Sequence, residues 1–406
     1  MESTNKKNMK SNEINSTEEK ISKKNSIIRN KSIKYIYKNP PLIGLQNLGD
    51  ICYMNVVLQC LSNIEQLTNY FKYDSYIKEI IKEKPNSLTT SYKHIIDKLW
   101  PSNNKHINSL NNNKYYPPRE FNKKICSINP LFEENKPNDA KDFVDFMIWT
   151  LHKDLNIIKN NNNNNMQTPI DIKNEQLVLQ DFITKYNENN NSIISDLFYR
   201  IDKSIAKCLK CQNSFYNFQG VGSLIIPLEP VRIFKLKELQ ENKNNIMNEK
   251  EKKFKIDLLN KNIIDIKDCF DYNQKIEILS GNNAFYCSQC GELCDMHWQT
   301  LLYTLPQILI INLNRGKANM YKVKCQFKEI LDLNNYANNG GIYELISVIT
   351  HLGENDNNYG HFIAACKSPI DNQWYRYNNA MISNISDFNK DILNFGLPYI
   401  LFYKRK

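Results

Sequence analysis

The chain has 406 residues, 41 % apolar and 24 % charged, enough for one large catalytic domain or two to three smaller ones. Its formal net charge of +10 invites a nucleic-acid reading, but residues 1–38 hold ten Lys/Arg against four Glu, leaving only +4 for the rest. No apolar run reaches membrane-span length, no secretory signal is visible, and eleven cysteines are an odd count for a disulfide framework; the expectation is a soluble protein of the cytoplasm or nucleus with no membrane partner.

Residues 1–39 lack apolar periodicity and read as a disordered basic tail that ends at Pro40-Pro41. From Leu42 onward the chain reads as folded. The segment Gly44-Leu45-Gln46-Asn47-Leu48-Gly49-Asp50-Ile51-Cys52-Tyr53-Met54-Asn55 places one cysteine at the end of a glycine-punctuated loop. Met54, Val57, Leu58 and Leu61 then recur at the spacing of an amphipathic helix. A thiol at a helix N-terminus sits in the positive end of the backbone dipole, which favours thiolate and suits a nucleophile. Asn47, five residues upstream, is placed to offer its amide N–H to an oxyanion forming beside the sulfur. A lone cysteine is more often a small buried apolar residue, so the loop alone does not decide the matter.

Helical periodicity returns at Ile77–Lys84 and at Asp139–Leu155. Asp139, Asp142 and Asp145 lie near the start of the second, where carboxylates cap the helix and favour its dipole. The asparagine runs Asn160–Asn165 and Asn187–Asn191 read as loops, and the Lys/Glu/Asn-dense stretch Glu238–Phe254 as an exposed helix or mobile insertion. Two Cys-x-x-Cys pairs, Cys208/Cys211 and Cys287/Cys290, have the spacing of zinc knuckles, with Cys294 and His297 as substitute ligands. Four thiolates leave no open coordination site, so zinc here would be structural. No basic stripe interleaved with aromatics flanks the knuckles, and nucleic acid is not an expected partner.

After Pro306 the texture turns to short β-like runs: Ile308–Asn312, Tyr343–Ile349, Phe362–Ala365, Trp374–Tyr377 and Tyr399–Tyr403. Helices early and strands late argue for an α+β fold. His361 follows Gly360 and opens one of these strands, which would hold its ring on rigid scaffold. A cysteine protease needs a thiolate, a histidine and a polar group that orients the imidazole. The order Cys52, His361, Asn378, with Asn379 beside the last, is the papain-like order of nucleophile, base and orienter.

The cysteine segment closely resembles the Gly-Leu-x-Asn-Leu-Gly-Asn-Thr-Cys-Tyr-Met-Asn box of the ubiquitin-specific proteases. His351-Leu352-Gly353, Gly360-His361-Phe362 and Trp374-Tyr375-Arg376-Tyr377 resemble the successive elements of that family's histidine box. Asn138–Phe143 resembles its Gln-Gln-Asp-Ala-x-Glu-Phe box, with Pro137 for the first Gln and Asp142 for the Glu. Phe285–Cys290 is similar to the Tyr-x-Cys-x-x-Cys element, and Leu305–Arg315 to the palm strand, with Gly316 where Phe is usual. The resemblance runs in blocks from Leu42 to Tyr403.

That resemblance implies a papain-like α+β fold with a helical thumb (about 40–190), zinc-ribbon-like fingers (about 191–300) and a β-rich palm (about 301–406). It implies thiol-dependent hydrolysis of the peptide or isopeptide bond after the C-terminal glycine of ubiquitin, with ubiquitin and ubiquitinated proteins as partners. Cys52 would be nucleophile, His361 base, Asn378 orienter with Asn379 beside it, and Asn47 oxyanion donor. Asp139, Asp142 and His351 would hold the ubiquitin tail, and Cys208, Cys211, Cys287 and Cys290 the zinc. Asp50 and Ile51 replace the usual Asn and Thr, and two amides stand where two aspartates are usual. These departures leave a second reading open, a catalytically weak or inactive ubiquitin-binding pseudo-protease. An inward-pointing Asp50 would oppose thiolate formation, and it is expected to face solvent.

Overall fold

The computed structural model describes residues 32–102, 115–133, 136–158, 173–241, 248–317, 320–353 and 360–406. Residues 1–31 of the expected tail and the run Asn160–Asn165 lie outside these. Residues 32–39, expected to belong to the tail, are instead packed on the helical layer. Ile33 is fully buried, its N–H bonds Asn69 Oδ1 at 2.8 Å, and the Tyr37 hydroxyl donates to the Pro101 carbonyl at 2.8 Å. Four apolar residues in that segment, Ile33, Tyr35, Ile36 and Tyr37, are too few to show a period, which is why the sequence does not reveal it.

The helix Cys52–Ser62 is the centre of the molecule, and all eleven of its residues are buried. The helix's polar members bond within the protein, with Asn55 Nδ2 donating to the Leu45 carbonyl and Gln59 Nε2 to the Ile43 carbonyl. Helix Ala140–Leu155 packs on one side of it, with Tyr53 edge-on to Phe143 at 5.6 Å, and a large sheet packs on the other. Helices Glu65–Tyr73, Ser75–Glu83, Leu88–Leu99 and Arg119–Ile128 complete the helical layer.

The strands in chain order are β1 (Gly44–Leu45), β2 (Tyr115–Tyr116), β3 (Arg200–Cys208), β4 (Ser214–Val221), β5 (Leu224–Pro227), β6 (Ile263–Asp265), β7 (Ile276–Leu279), β8 (Phe285–Cys287) and β9 (Glu292–Cys294). They continue as β10 (Met296–Thr304), β11 (Ile308–Asn314), β12 (Lys324–Gln326), β13 (Ile330–Asp332), β14 (Ile342–Leu352), β15 (His361–Lys367), β16 (Trp374–Asn378), β17 (Met381–Ile385) and β18 (Leu397–Arg405). An eight-stranded sheet runs β17-β16-β15-β14-β18-β11-β5, with β13 added beside β14; within this sheet β5 and β11 pair parallel and the other pairs are antiparallel. Its central strands read as unbroken apolar runs because both faces are covered. Ile308, Ile310, Ile400 and Phe402 enter the core shared with the Cys52 helix, while their alternating neighbours Leu309, Ile311, Leu401 and Tyr403 enter a second core.

That second core includes Leu224, Leu228, Val231, Ile266 and Phe270. The stretch from β5 to helix Ile266–Asn273, expected with the fingers, therefore closes the back of the large sheet. Its Lys/Glu/Asn-dense part forms helices Leu228–Glu241 and Glu249–Asn260 on either side of residues 242–247, which are not described. The fingers proper are the antiparallel sheet β4-β3-β10-β7 with the small β8–β9 hairpin. Pro306 divides the apolar stretch 301–313 into β10 of this sheet and β11 of the large one, where a missing N–H ends the ladder. Asn187 and Asn189, expected in a loop, lie in the last turn of helix Glu175–Asn189, whose cap Asn190 bonds its own side chain back to the Tyr186 carbonyl at 2.9 Å.

Candidate active site

The loop before Cys52 is shaped by Asn47. Its side-chain oxygen accepts the Ile51 N–H at 3.1 Å, which fixes the amide and leaves its NH₂ group for another acceptor. Ile51 is the N-cap and offers no side-chain acceptor to the first turn of the Cys52 helix. Asp50 is exposed, as expected, while Ile51 is fully buried.

His361 opens β15, which packs directly against the Cys52 helix. Its Nε2 lies 2.7 Å from Asn378 Oδ1, at the end of β16. An amide oxygen can only accept, so Nε2 carries the proton and the other ring nitrogen is left for the thiol. The hydrogen bond with Cys52 raises the His361 pKa above its ordinary value; burial opposes this and the Asn378 bond adds to it. The pair is thus biased towards imidazolium.

Asn379, expected beside the imidazole, is turned away from it. It has φ 53° in the two-residue turn between β16 and β17, a left-handed position that Asn tolerates better than most residues. Its Oδ1 accepts from Asn55 Nδ2 at 2.9 Å, and its carbonyl accepts the Leu45 N–H at 2.9 Å. The residue is a clamp between the Cys52 loop and the turn that carries Asn378. Asn55, fully inside at 2 % exposure, also reaches the Leu45 and Gln46 carbonyls, both at 3.3 Å.

His351, paired with Phe362 one rung from His361 in the β14–β15 ladder, packs on Phe362 and Tyr399 at ring distances of 4.9 and 6.0 Å. Burial, followed by the nearby Arg315 charge, lowers its pKa and keeps it neutral. Gly360 is obligatory here: a Cβ on it would stand 1.7 Å from His351 Nε2. Gly360→Ala should cost about 10²-fold in kcat/KM with little loss of Tm, since the clash falls on the ring wall beside His361 rather than on the core. Steady-state kinetics and a thermal melt check both parts.

A cleft of about 790 Å³ leads to this wall, lined by Asp139, Asp142, Asp145, Asn312, His351 and Tyr399 among others. Asp139 caps helix Ala140–Leu155 through the Lys141 N–H at 2.8 Å, and its second oxygen accepts from the Tyr399 hydroxyl at 2.7 Å. Asp142 is exposed, and partial burial followed by Asp139 raises its pKa. Asp145 accepts from Ser223 at 2.6 Å, whose oxygen in turn accepts from Asn312 at 3.0 Å, tying the helix to the large sheet. Tyr399, Ser223 and Asn312 carry no local sequence signal of this role, because each acts on a partner 78 to 260 residues away.

At the fingertip the thiols of Cys208, Cys287, Cys290 and Cys294 all lie within 4.8 Å of one another. The expected fourth member, Cys211, stands beside them with its Sγ 3.7 Å from that of Cys287, and the backbone and side-chain N–H groups of Asn213 pull its thiol down to about 6. The geometry therefore differs from the expected set by the presence of Cys294, because the β8–β9 register brings it to the same hairpin face as Cys287. His297 alternates to the other face of β10 from Met296, which pairs with Cys208. The donor set suits zinc: soft, clustered, and shielded by Ala206, Phe215 and Met296.

A helix-borne thiol set against a strand-borne imidazole and an orienting amide, on an α+β fold, is the architecture of cysteine hydrolases of the papain-like kind. The profile of the ubiquitin carboxyl-terminal hydrolase family matches residues 43–403, and the chain belongs to that family. It is 24 % identical over 378 residues to ubiquitin carboxyl-terminal hydrolase Usp2 of Drosophila melanogaster, covering 91 % of this chain and 35 % of that protein. It is 26 % identical over 379 residues to ubiquitin carboxyl-terminal hydrolase 2 of Bos taurus, covering 89 % of this chain and 55 % of the relative. The chain thus spans about a third to a half of these relatives' lengths. The fold is similar to a chain of the SAGA Ubp8/Sgf11/Sus1/Sgf73 DUB module bound to ubiquitin aldehyde, with a TM-score of 0.61 at 21 % identity, over 92 % of this chain and 71 % of that one. Among the described residues no helix is long and apolar enough to cross a membrane.

Proposed function

We propose that this protein is a deubiquitinating hydrolase that cuts the peptide or isopeptide bond after the C-terminal glycine of ubiquitin through Cys52, His361 and Asn378. The observation that carries this reading is His361, which bonds Asn378 at 2.7 Å and whose pKa is raised first by Cys52, beside a cleft rich in carboxylates. The arginines of the ubiquitin tail find acidic partners in Asp142 and Asp145, with Asp139 shaping the cleft through Tyr399.

The Cys52 thiolate attacks the glycine carbonyl carbon, and the oxyanion takes hydrogen bonds from the Asn47 amide and an N–H at the helix start. Imidazolium His361 gives its proton to the leaving lysine amine as the C–N bond breaks, leaving a thioester. Neutral His361 then takes a proton from water as that water attacks, and collapse expels the Cys52 thiolate beside imidazolium again. Asn378 holds the ring in place throughout, without supplying charge. The fingertip cysteines would hold a structural zinc that ties β3 to the β8–β9 hairpin.

Ubiquitin carrying a C-terminal electrophile should form a covalent adduct at Cys52 in the folded protein. Absence of adduct would establish the pseudo-protease reading instead. A pH profile tests the ring's setting. Two hydrogen bonds hold His361 protonated above its ordinary range, and Asn378→Ala removes one of them. The alkaline limb of kcat/KM in Asn378→Ala should move to lower pH, because the imidazolium is then lost earlier as pH rises.

A further inference from the structure

Five thiols, not four, converge on the fingertip. Cys208 ends β3; Cys211 follows it in the turn; Cys287 and Cys290 frame the turn after β8; and Cys294 ends β9. Tetrahedral zinc at its usual distance from thiolate sulfur sets ligand sulfurs about 3.8 Å apart. Cys211 already meets that spacing against Cys287 at 3.7 Å, while Cys294 meets the looser mutual limit of 4.8 Å together with Cys208, Cys287 and Cys290.

The local structure explains why both fit. The β8–β9 hairpin pairs Phe285 with Cys294 and Cys287 with Glu292, so Cys287 and Cys294 project from the same face two rungs apart. The turn after β8 is closed by the Gly291 N–H on the Cys287 carbonyl at 2.8 Å, which fixes Cys290 over the same spot. Cys211 approaches from the opposite element, and its sulfur accepts the Asn213 Nδ2–H at 3.3 Å. Cys294 is 6 % exposed and Cys208 and Cys287 are fully buried, whereas Cys211 is half-buried.

We propose that Cys208, Cys287 and Cys290 are the fixed ligands of one zinc, and that Cys211 and Cys294 exchange in the fourth position. This rests on the zinc reading above and extends it. The exchange keeps the site closed when either of the two thiols is lost or blocked. It also leaves one thiol of the five free at any moment in the zinc-loaded protein.

Zinc per chain, measured by atomic absorption on purified full-length protein, tests this with four variants. Wild type, Cys211→Ser and Cys294→Ser should each hold about one zinc, while Cys287→Ser and the double variant Cys211→Ser/Cys294→Ser should hold none. Alkylation of the zinc-loaded wild type, read by peptide mass spectrometry, should label Cys211 and Cys294 in a summed amount of about one per fingertip. Loss of zinc in either single variant overturns the exchange and identifies a fixed fourth ligand. Retention of zinc in the double variant overturns it as well. Wild type without zinc overturns the zinc reading itself, a distinct failure. Circular dichroism and adduct formation at Cys52 confirm that each variant is folded.

Discussion

Replacing Cys52 or His361 by alanine is expected to reduce hydrolysis of a ubiquitin C-terminal amide by roughly 10⁴-fold or more, with Tm close to wild type. The two groups act as a unit, so the double variant should be scarcely worse than either single one. Cys52 retains only 9 % exposure at the tip of a helix whose other residues are all buried, and removing its sulfur leaves that packing intact. Asn378→Ala should cost less, about 10²-fold, because an amide orients the ring at Nε2 but adds no charge to stabilise imidazolium. Steady-state kinetics on the three variants, with melts as the folding control, decide the ranking. Equal losses in all three would mean that ring orientation matters as much as the nucleophile.

Gly44→Ala is expected to be about as damaging as Asn378→Ala, through position rather than chemistry. Gly44 lies in β1 against the Asn379-Ala380 turn, and a Cβ on it would come within 2.4 Å of the Ala380 carbonyl oxygen and within 2.8 Å of the Ala380 Cα. The obstacle is backbone and cannot rotate away. The turn must shift, and with it the Leu45 N–H bond to the Asn379 carbonyl, the Asn55–Asn379 clamp and the adjacent Asn378. Overpacking of this kind costs about 1–3 kcal/mol of stability. The misplaced orienter should lower kcat by about 10²-fold on top of that. Gly222→Ala, whose Cβ would meet nothing nearer than 3.9 Å, is the control and should behave as wild type. Wild-type turnover in Gly44→Ala would show that the seam between cysteine loop and sheet tolerates displacement.

Much of the site is legible in the chain because its parts are local. The helix after Cys52 announces itself by period, the loop before it by Gly49 at φ 142°, and Asp139 by its place at a helix start. The strands carrying His361 and Asn378 are short apolar runs between turns, and they fall where those runs predict. The fingertip is legible in part, since Cys-x-x-Cys spacing marks a metal-type cluster but does not say which thiols meet. Asn378 and Asn379 look interchangeable as letters. One ends a strand facing the imidazole, and the other takes a left-handed turn that sends its side chain to Asn55.

What the sequence determines here is what near neighbours along the chain can encode: helix and strand periods, caps, turn residues, and the order of thiol, imidazole and amide. The tertiary structure decides what depends on partners far apart in the chain. It decides that the stretch from β5 to helix Ile266–Asn273 backs the large sheet instead of the fingers, that Tyr399 holds Asp139, that Asn379 clamps Asn55, and that Cys294 joins the thiol cluster. The reason is physical. A buried polar group or an apolar face is satisfied by whatever the fold brings within about 3–4 Å of it, and that choice is made by packing rather than by spacing.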